Sequence, residues 1–126
     1  MTNRRVVAVK QVPENVNLKT VRQFYRDLES VMNAERPAVV LDCSRVTRIA
    51  VPTMHLLLNC LEGAMKRNGD VRLAAVAPTA AHTLRASGAD QLFRIYETTD
   101  AAVESFQRRT VGSTARQFTP AEANAA

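Results

Sequence analysis

Several residue types are scarce in this sequence, and each shortage excludes a class of protein. The 126 residues include only two cysteines, Cys43 and Cys60, which are too few for a disulfide framework and which we expect to be buried free thiols. Tryptophan is absent and aromatic residues make up 5% of the chain, so the core must be packed mainly with aliphatic side chains. No apolar run approaches the length of a membrane span, and no signal-peptide pattern follows Met1. We therefore expect one cytoplasmic domain that is not inserted in a membrane.

The groups that carry chemistry in enzymes and metal sites are also scarce. His55 and His82 are the only histidines, and neither has a Cys, Asp or Glu at the spacing of metal ligands. The sequence contains no pairing of a nucleophile with a base, no phosphate-binding glycine loop and no paired carboxylates. These absences predict a protein that is not an enzyme and that uses no metal or cofactor.

The net charge of +5 raises the question of a nucleic-acid partner. Basic and acidic residues are interspersed along the chain, however, and form no basic stripe with interleaved aromatic residues. We therefore attribute the positive charge to a general surface excess and predict no nucleic-acid partner.

Short apolar runs alternate with amphipathic segments along the chain, which is typical of an α/β fold. The predicted strands are Val6 to Val9, Ala38 to Leu41, Val71 to Ala77 and a short one within Leu92 to Tyr96, with either an irregular edge strand or a loop at Gln11 to Val16. The predicted helices are Leu18 to Met32, Pro52 to Arg67, Thr79 to Ser87 and Asp100 to Arg108. This order predicts a mostly parallel or mixed sheet of four to five strands with about four helices packed on it.

The ends of these elements carry residues that are typical of helix caps. Asn17 and Thr99 are predicted to cap the first and last helices at their N-termini. Gly88 and the Asn-Gly pair at 68–69 are predicted to end two of the helices. From Thr110 onward the composition changes to small and polar residues, so we predict one domain over residues 1–108 and a flexible tail over 109–126.

Three segments of the predicted domain carry motifs of a known family. They read VVLDCSRVTRI at 39–49, GDVRLAAVAP at 69–78 and LRASGADQLFRIY at 84–96. In this order they resemble segments of STAS domains of the anti-sigma factor antagonist type, written VVLDLSGVTFID, GGRLVLVNP and LELTGLDELFPVY. The resemblance spans about Val6 to Phe106, although the usual GELD turn is replaced by the residues at 12–15. It implies a single STAS-like domain that binds other proteins and is not catalytic.

The turn before the second predicted helix departs from the family pattern. STAS antagonists carry Asp-Ser-Ser-Gly there, and the second Ser is phosphorylated by a partner kinase that is also the anti-sigma factor. This chain has Ala50, Val51, Pro52 and Thr53 instead, so the phosphoacceptor position holds a proline without a hydroxyl. The resemblance therefore implies a degenerate switch, with Thr53 and Ser44 as the alternative phosphosites.

The leading hypothesis is that this region docks on an anti-sigma factor or a kinase-like regulatory protein without the usual serine phosphorylation. The alternative is an accessory subunit of a transporter complex or a signalling scaffold, with a permanent interface; a homodimer is a further option. The predicted partner-binding residues are Asp42, Ser44, Arg45, Thr47, Ala50, Val51, Pro52, Thr53, His55, Leu56 and Asn59.

Two of these residues have a second, structural interpretation. Asp42 follows a buried strand and is also a good turn-former, because its carboxylate can accept hydrogen bonds from nearby backbone N–H groups. The main apolar stripe predicted for the second helix is formed by Met54, Leu57, Leu58, Leu61 and Met65. Leu56 and Cys60 fall off this stripe, so they either contribute an exposed patch for a partner or pack against neighbouring elements.

Overall fold

The computed structural model describes residues 6–107, and in it helices cover both faces of a four-stranded sheet. The strands are β1 (Val7–Gln11), β2 (Ala38–Asp42), β3 (Asp70–Ala74) and β4 (Ile95–Tyr96). The helices are α1 (Leu18–Met32), α2 (Val51–Met65), α3 (Pro78–Ser87) and α4 (Thr99–Gln107), with a short 3₁₀ helix at Ala89–Gln91. The expected α/β class is confirmed. The predicted boundary at residue 108 and the tail over 109–126 lie outside the described residues.

The strands stand in the order β1-β2-β3-β4, and all three pairings are parallel. Of the two expected arrangements, the described strands form the parallel one and not the mixed one, because a helix follows each of the first three strands and returns the chain to the same end of the sheet. The segment after Gln11 is a loop and not a fifth strand. Val12 makes one more bond, from its N–H to the carbonyl of Asp42 at 2.9 Å, and Pro13 then lacks the N–H that a ladder needs.

Two apolar layers hold the helices against the sheet. One face packs against α1, α2 and α3, and its core includes Phe24, Leu57 and Leu73. The other face packs against α4 through a smaller cluster that includes Val40 and Phe106. The residues of β2 up to Leu41 are buried on both faces, as its continuous apolar run predicts for the middle of a parallel sheet.

The cap predictions at Asn17 and Gly88 are confirmed, and the one at Thr99 is wrong. Asn17 forms a reciprocal capping box with Thr20, in which each side chain accepts a hydrogen bond from the backbone N–H of the other. Gly88 ends α3 with a φ of 83°. At α4 the cap is Thr98 and not Thr99, because the Thr98 hydroxyl accepts a hydrogen bond from the N–H of Ala101 at 3.0 Å.

The Asn-Gly pair after α2 serves two separate purposes. Asn68 adopts the left-handed conformation, with a φ of 65°. Gly69 is required for space, since a Cβ there would lie 2.1 Å from the carbonyl oxygen of Pro37. The pair therefore turns the chain from α2 into β3 while it keeps β3 close to the start of β2.

Candidate functional site

The candidate site lies where β2 ends and α2 begins, at the carboxyl edge of the sheet. In open parallel sheets this edge is the usual location of binding sites, because the connections that leave the strands gather there. The residues at 43–50 connect β2 to α2, and they alternate between buried anchors and exposed side chains. This alternation determines which of the predicted residues a partner can reach.

Asp42 shapes the beginning of the connection. Its Oδ1 accepts a hydrogen bond from the N–H of Ser44 at 2.9 Å, which is the geometry of a turn built by an aspartate side chain. The structural interpretation of Asp42 therefore applies, and the turn leaves Ser44 and Arg45 exposed.

Cys43 and Val46 anchor the connection to the core. Both are buried, and the N–H of Cys43 donates to the carbonyl of Ala74 at 2.9 Å. The N–H of Val46 donates to the carbonyl of Cys43 at 3.0 Å, which closes the turn between the two anchors. The exposed residues around them are thus held on a fixed backbone.

The prediction that both cysteines are buried free thiols is confirmed. Burial raises the pKa of the Cys43 thiol to about 12, with the neighbouring charge of Asp42 as a smaller cause in the same direction. Burial alone raises the pKa of Cys60 to about 12. Neither sulfur is therefore a reactive thiolate at neutral pH.

Helix α2 begins at Val51, with Pro52 as its second residue and no side-chain cap at Ala50. The N–H of Met54 donates to the carbonyl of Ala50 at 2.9 Å and makes the first helical bond. Val51 is 68% exposed and Pro52 is also exposed, so the helix presents an apolar, uncapped first turn to the surroundings. Proline suits this position because the first turn does not use its missing N–H.

Two predicted site residues of α2 are buried. Thr53 is only 4% exposed, so the folded domain covers this residue. Leu56 is 2% exposed and belongs to the core, as does Cys60, so the packing interpretation of both is the correct one. The face that packs on the sheet runs through Thr53, Leu56, Leu57, Cys60, Leu61 and Ala64, while Met65, predicted to be inside, is exposed.

The remaining predicted residues of α2 lie on its outer side. Val51, His55 and Asn59 are all exposed and follow each other at intervals of four residues, which places them along one side of the helix. The Nδ2 of Asn59 donates to the hydroxyl of Tyr25 on α1 at 3.3 Å, so the far end of this line is fixed to the neighbouring helix. We define the docking surface as the exposed residues Ser44, Arg45, Thr47, Ala50, Val51, Pro52, His55 and Asn59.

A groove beside the docking surface was not expected from the sequence. It has a volume of about 580 Å³ and lies between the β2–α2 connection and α3, where it is lined by Arg48, Ile49, Pro78, Thr79, His82 and Thr83. The Thr79 hydroxyl donates to the carbonyl of Thr47 at 2.6 Å and joins the two sides. Only the tertiary structure brings His82 near the connection, because 32 positions of sequence separate it from Ala50, the last residue of the connection.

Within residues 6–107, no group of three or more side chains is arranged to hold a metal ion. No helix in the same range combines the length and the apolar character needed to span a membrane.

Comparisons with known proteins agree on the fold. A family model described as "Mlab, STAS domain" matches residues 5–95 of this chain. No curated protein matches the chain by sequence.

Solved structures of STAS domains are similar to this one at low sequence identity. An anti-sigma factor antagonist from Mycobacterium paratuberculosis is 24% identical, with a TM-score of 0.66 over 81% of this chain and 86% of its own. An anti-sigma factor antagonist (STAS) domain protein from Planctomyces limnophilus is 19% identical, with a TM-score of 0.67 over 79% and 90%. The STAS domain of a SulP transporter from Vibrio cholerae is 16% identical, with a TM-score of 0.65 over 82% and 83%. At such identities the likeness concerns the fold, which antagonists and transporters share.

Proposed function

Because this chain belongs to the family of Mlab STAS domains, we propose that it acts as a non-catalytic protein-binding module. Its docking surface binds an anti-sigma factor or a kinase-like regulatory protein in the cytoplasm, and serine phosphorylation of the turn does not control the binding. Three features support this proposal: an exposed apolar residue at the start of α2, a rigid connection before it, and a proline in the phosphoacceptor position.

The single observation that carries the proposal is the exposure of Val51 beside Pro52. An aliphatic side chain that is 68% exposed at a helix start contributes little burial energy to the free protein, but it can be buried against a partner. The line of Val51, His55 and Asn59 continues this contact along α2. Buried anchors hold the connection in place, so little ordering is needed when the partner binds.

We expect Val51→Asp to weaken binding without unfolding the domain, because it places a charge where an apolar contact forms. The measurement is affinity capture from the source cell with quantitative mass spectrometry, followed by calorimetry with the partner so identified. We expect Val51→Asp to raise the Kd about tenfold or more, as for a central interface residue. Leu18→Asp is the matched control, since Leu18 is an equally exposed aliphatic residue on α1. Equal binding by both variants would contradict the proposed surface.

The absence of phosphoswitch control is tested separately with the purified partner and ATP. Where the partner is a kinase, we expect no stoichiometric phosphate on the wild-type chain, because Pro52 has no hydroxyl and Thr53 is buried. Pro52→Ser is the comparison, since it restores a hydroxyl at an exposed position in the first turn of α2. Stoichiometric phosphate on Ser44 of the wild-type chain would overturn this part of the proposal.

A second candidate function is that of an accessory subunit of a transporter complex or signalling scaffold. The likeness to a SulP transporter STAS domain favours it, and a surface without a phosphoacceptor suits a permanent interface. The same capture experiment separates the two candidates. A membrane transporter component that is lost with Val51→Asp supports this version, whereas a free regulatory protein supports the first.

A further inference from the structure

The proposed function gives no role to the outer edge of β1. Among residues 6–107, β1 pairs with β2 alone, so within this range one side of its backbone has no neighbouring strand. The side that faces β2 is known from the ladder, in which Val9 pairs with Val40 and the N–H of Val12 donates to the carbonyl of Asp42. Because backbone groups alternate along a strand, the N–H and C=O groups of Val7, Val9 and Gln11 point outward.

These outward groups have no hydrogen-bond partner among the described residues. The side chains beside them are also exposed, since Val9 is 50% exposed and Val6 is 85% exposed. An edge with free backbone groups and aliphatic side chains is a template for another strand.

Natural proteins often prevent pairing at such edges with charged side chains, and β1 has little protection of this kind. The one charged residue of β1 is Lys10, and its ammonium group is paired with Asp27 of α1 and lies 5.8 Å from the centre of the Phe24 ring. Lys10 therefore points toward α1, and its charge is paired with that of Asp27 in the same domain. The residues of β1 on the outward side are Val7, Val9 and Gln11, and none of them is charged.

We propose that the outer edge of β1 pairs with the same edge of a second copy of this chain. An antiparallel pairing about a two-fold axis at Val9 places Val9 opposite Val9 of the partner copy, and Val7 opposite Gln11. Every outward N–H and C=O group then meets a complementary group, because the outward residues are distributed symmetrically about Val9.

Self-pairing also suits the side chains. Val9 shares a sheet face with Val40, so the two copies of Val9 lie side by side on the face that carries α4. Lys10 stands opposite Ala8 of the other copy and not opposite its own equivalent, so no like charges face each other across the pair. The resulting dimer has one continuous sheet and leaves the docking surface on α2 uncovered by this contact.

The oligomeric state of the full chain is the first test, measured by sedimentation and light scattering over a wide range of concentration. We expect wild-type protein to dimerise as the concentration rises. We expect Val9→Lys to stay monomeric throughout, because two like charges would meet at the axis. Leu18→Lys is the matched control and should dimerise like the wild type. A wild-type chain that stays monomeric, or a Val9→Lys variant that dimerises equally, overturns the proposal.

A crosslinking test identifies the edge itself. Opposite residues in a hydrogen-bonded antiparallel pair have Cα atoms about 5.5 Å apart, which is within the range of a disulfide. We expect Val9→Cys to form disulfide-linked dimers on mild oxidation, and Leu18→Cys to remain monomeric. The native thiols are buried and do not compete. A dimer that Val9→Cys cannot crosslink would use another surface, which overturns the pairing and leaves the proposed partner-binding function untouched.

Discussion

At the scale of single residues, two cysteines illustrate how burial changes chemistry. Cys43 and Cys60 lie in the same apolar core, and neither thiol ionises at neutral pH because the core does not solvate a thiolate. Cys43 nevertheless stands between the half-buried Asp42 and the exposed Ser44 of the candidate site. Its role there is to anchor the connection and not to react.

The raised thiol pKa values predict how stability depends on pH. In the unfolded chain each thiol ionises with a pKa near 9, whereas in the folded protein the pKa is about 12. Between these values the unfolded state loses protons that the folded state keeps, so the free energy of unfolding must fall as the pH rises from about 9 toward 12.

Urea denaturation at several alkaline pH values, with wild type and Cys60→Ala, measures this effect. The variant should show a shallower fall over the same range, because one of the two thiols is gone. The comparison uses the slope and not the absolute free energy of unfolding, because Cys60→Ala leaves a cavity that lowers the free energy of unfolding at every pH. An unchanged slope would mean that the Cys60 thiol does not contribute to the pH dependence of the free energy of unfolding.

At the scale of the elements, α2 shows why an apolar helix is hard to orient from its sequence. Its residues are apolar on more than one face, so several stripes satisfy helical spacing. Met65 belongs to the predicted apolar stripe but is exposed. Leu56 is among the predicted partner-binding residues but is buried. The orientation of α2 is set by the sheet and α1, because they cover one side of the helix and leave the other exposed to solvent.

The burial of Leu56 predicts a cost in stability. We expect Leu56→Ala to lower the free energy of unfolding by about 2–4 kcal/mol, since it removes packed methyl groups and leaves a cavity. Met65→Ala, the matched control at the exposed end of α2, should change it by less than about 0.5 kcal/mol. Chemical denaturation measures both, and similar values for the two variants would contradict the orientation of the helix.

At the scale of the whole molecule, a single arginine joins the second layer to the sheet. Arg72 of β3 donates from Nε to Asp70 at 3.0 Å and from Nη1 to the Ser105 hydroxyl at 2.7 Å. Its guanidinium carbon lies 3.9 Å from the centre of the Phe106 ring. These contacts fix α4 on a face of the sheet whose own apolar cluster is small.

We expect Arg72→Ala to lower the free energy of unfolding by about 1–3 kcal/mol, because it removes a charged hydrogen bond and a stacked ring contact together. The comparison is Lys10→Ala, which breaks the more exposed ion pair to Asp27 and should lower the free energy of unfolding by less than Arg72→Ala does. Thermal and urea unfolding measure the difference. Equal losses would show that the Arg72 contacts do not hold the layer.

The sequence by itself determined the order of the elements, the caps at Asn17 and Gly88, and the absence of a side-chain hydroxyl at Pro52, because these depend on local backbone chemistry and on residue identity. Only the tertiary structure decided the parallel pairing, the burial of Thr53 and Leu56, and the edge of β1 that no other described strand covers. Those features depend on which surfaces meet across long sequence distances, which no local pattern records. Of the predicted partner-binding residues, the exposed ones remain candidates, since burial and not residue type determines what a partner can touch.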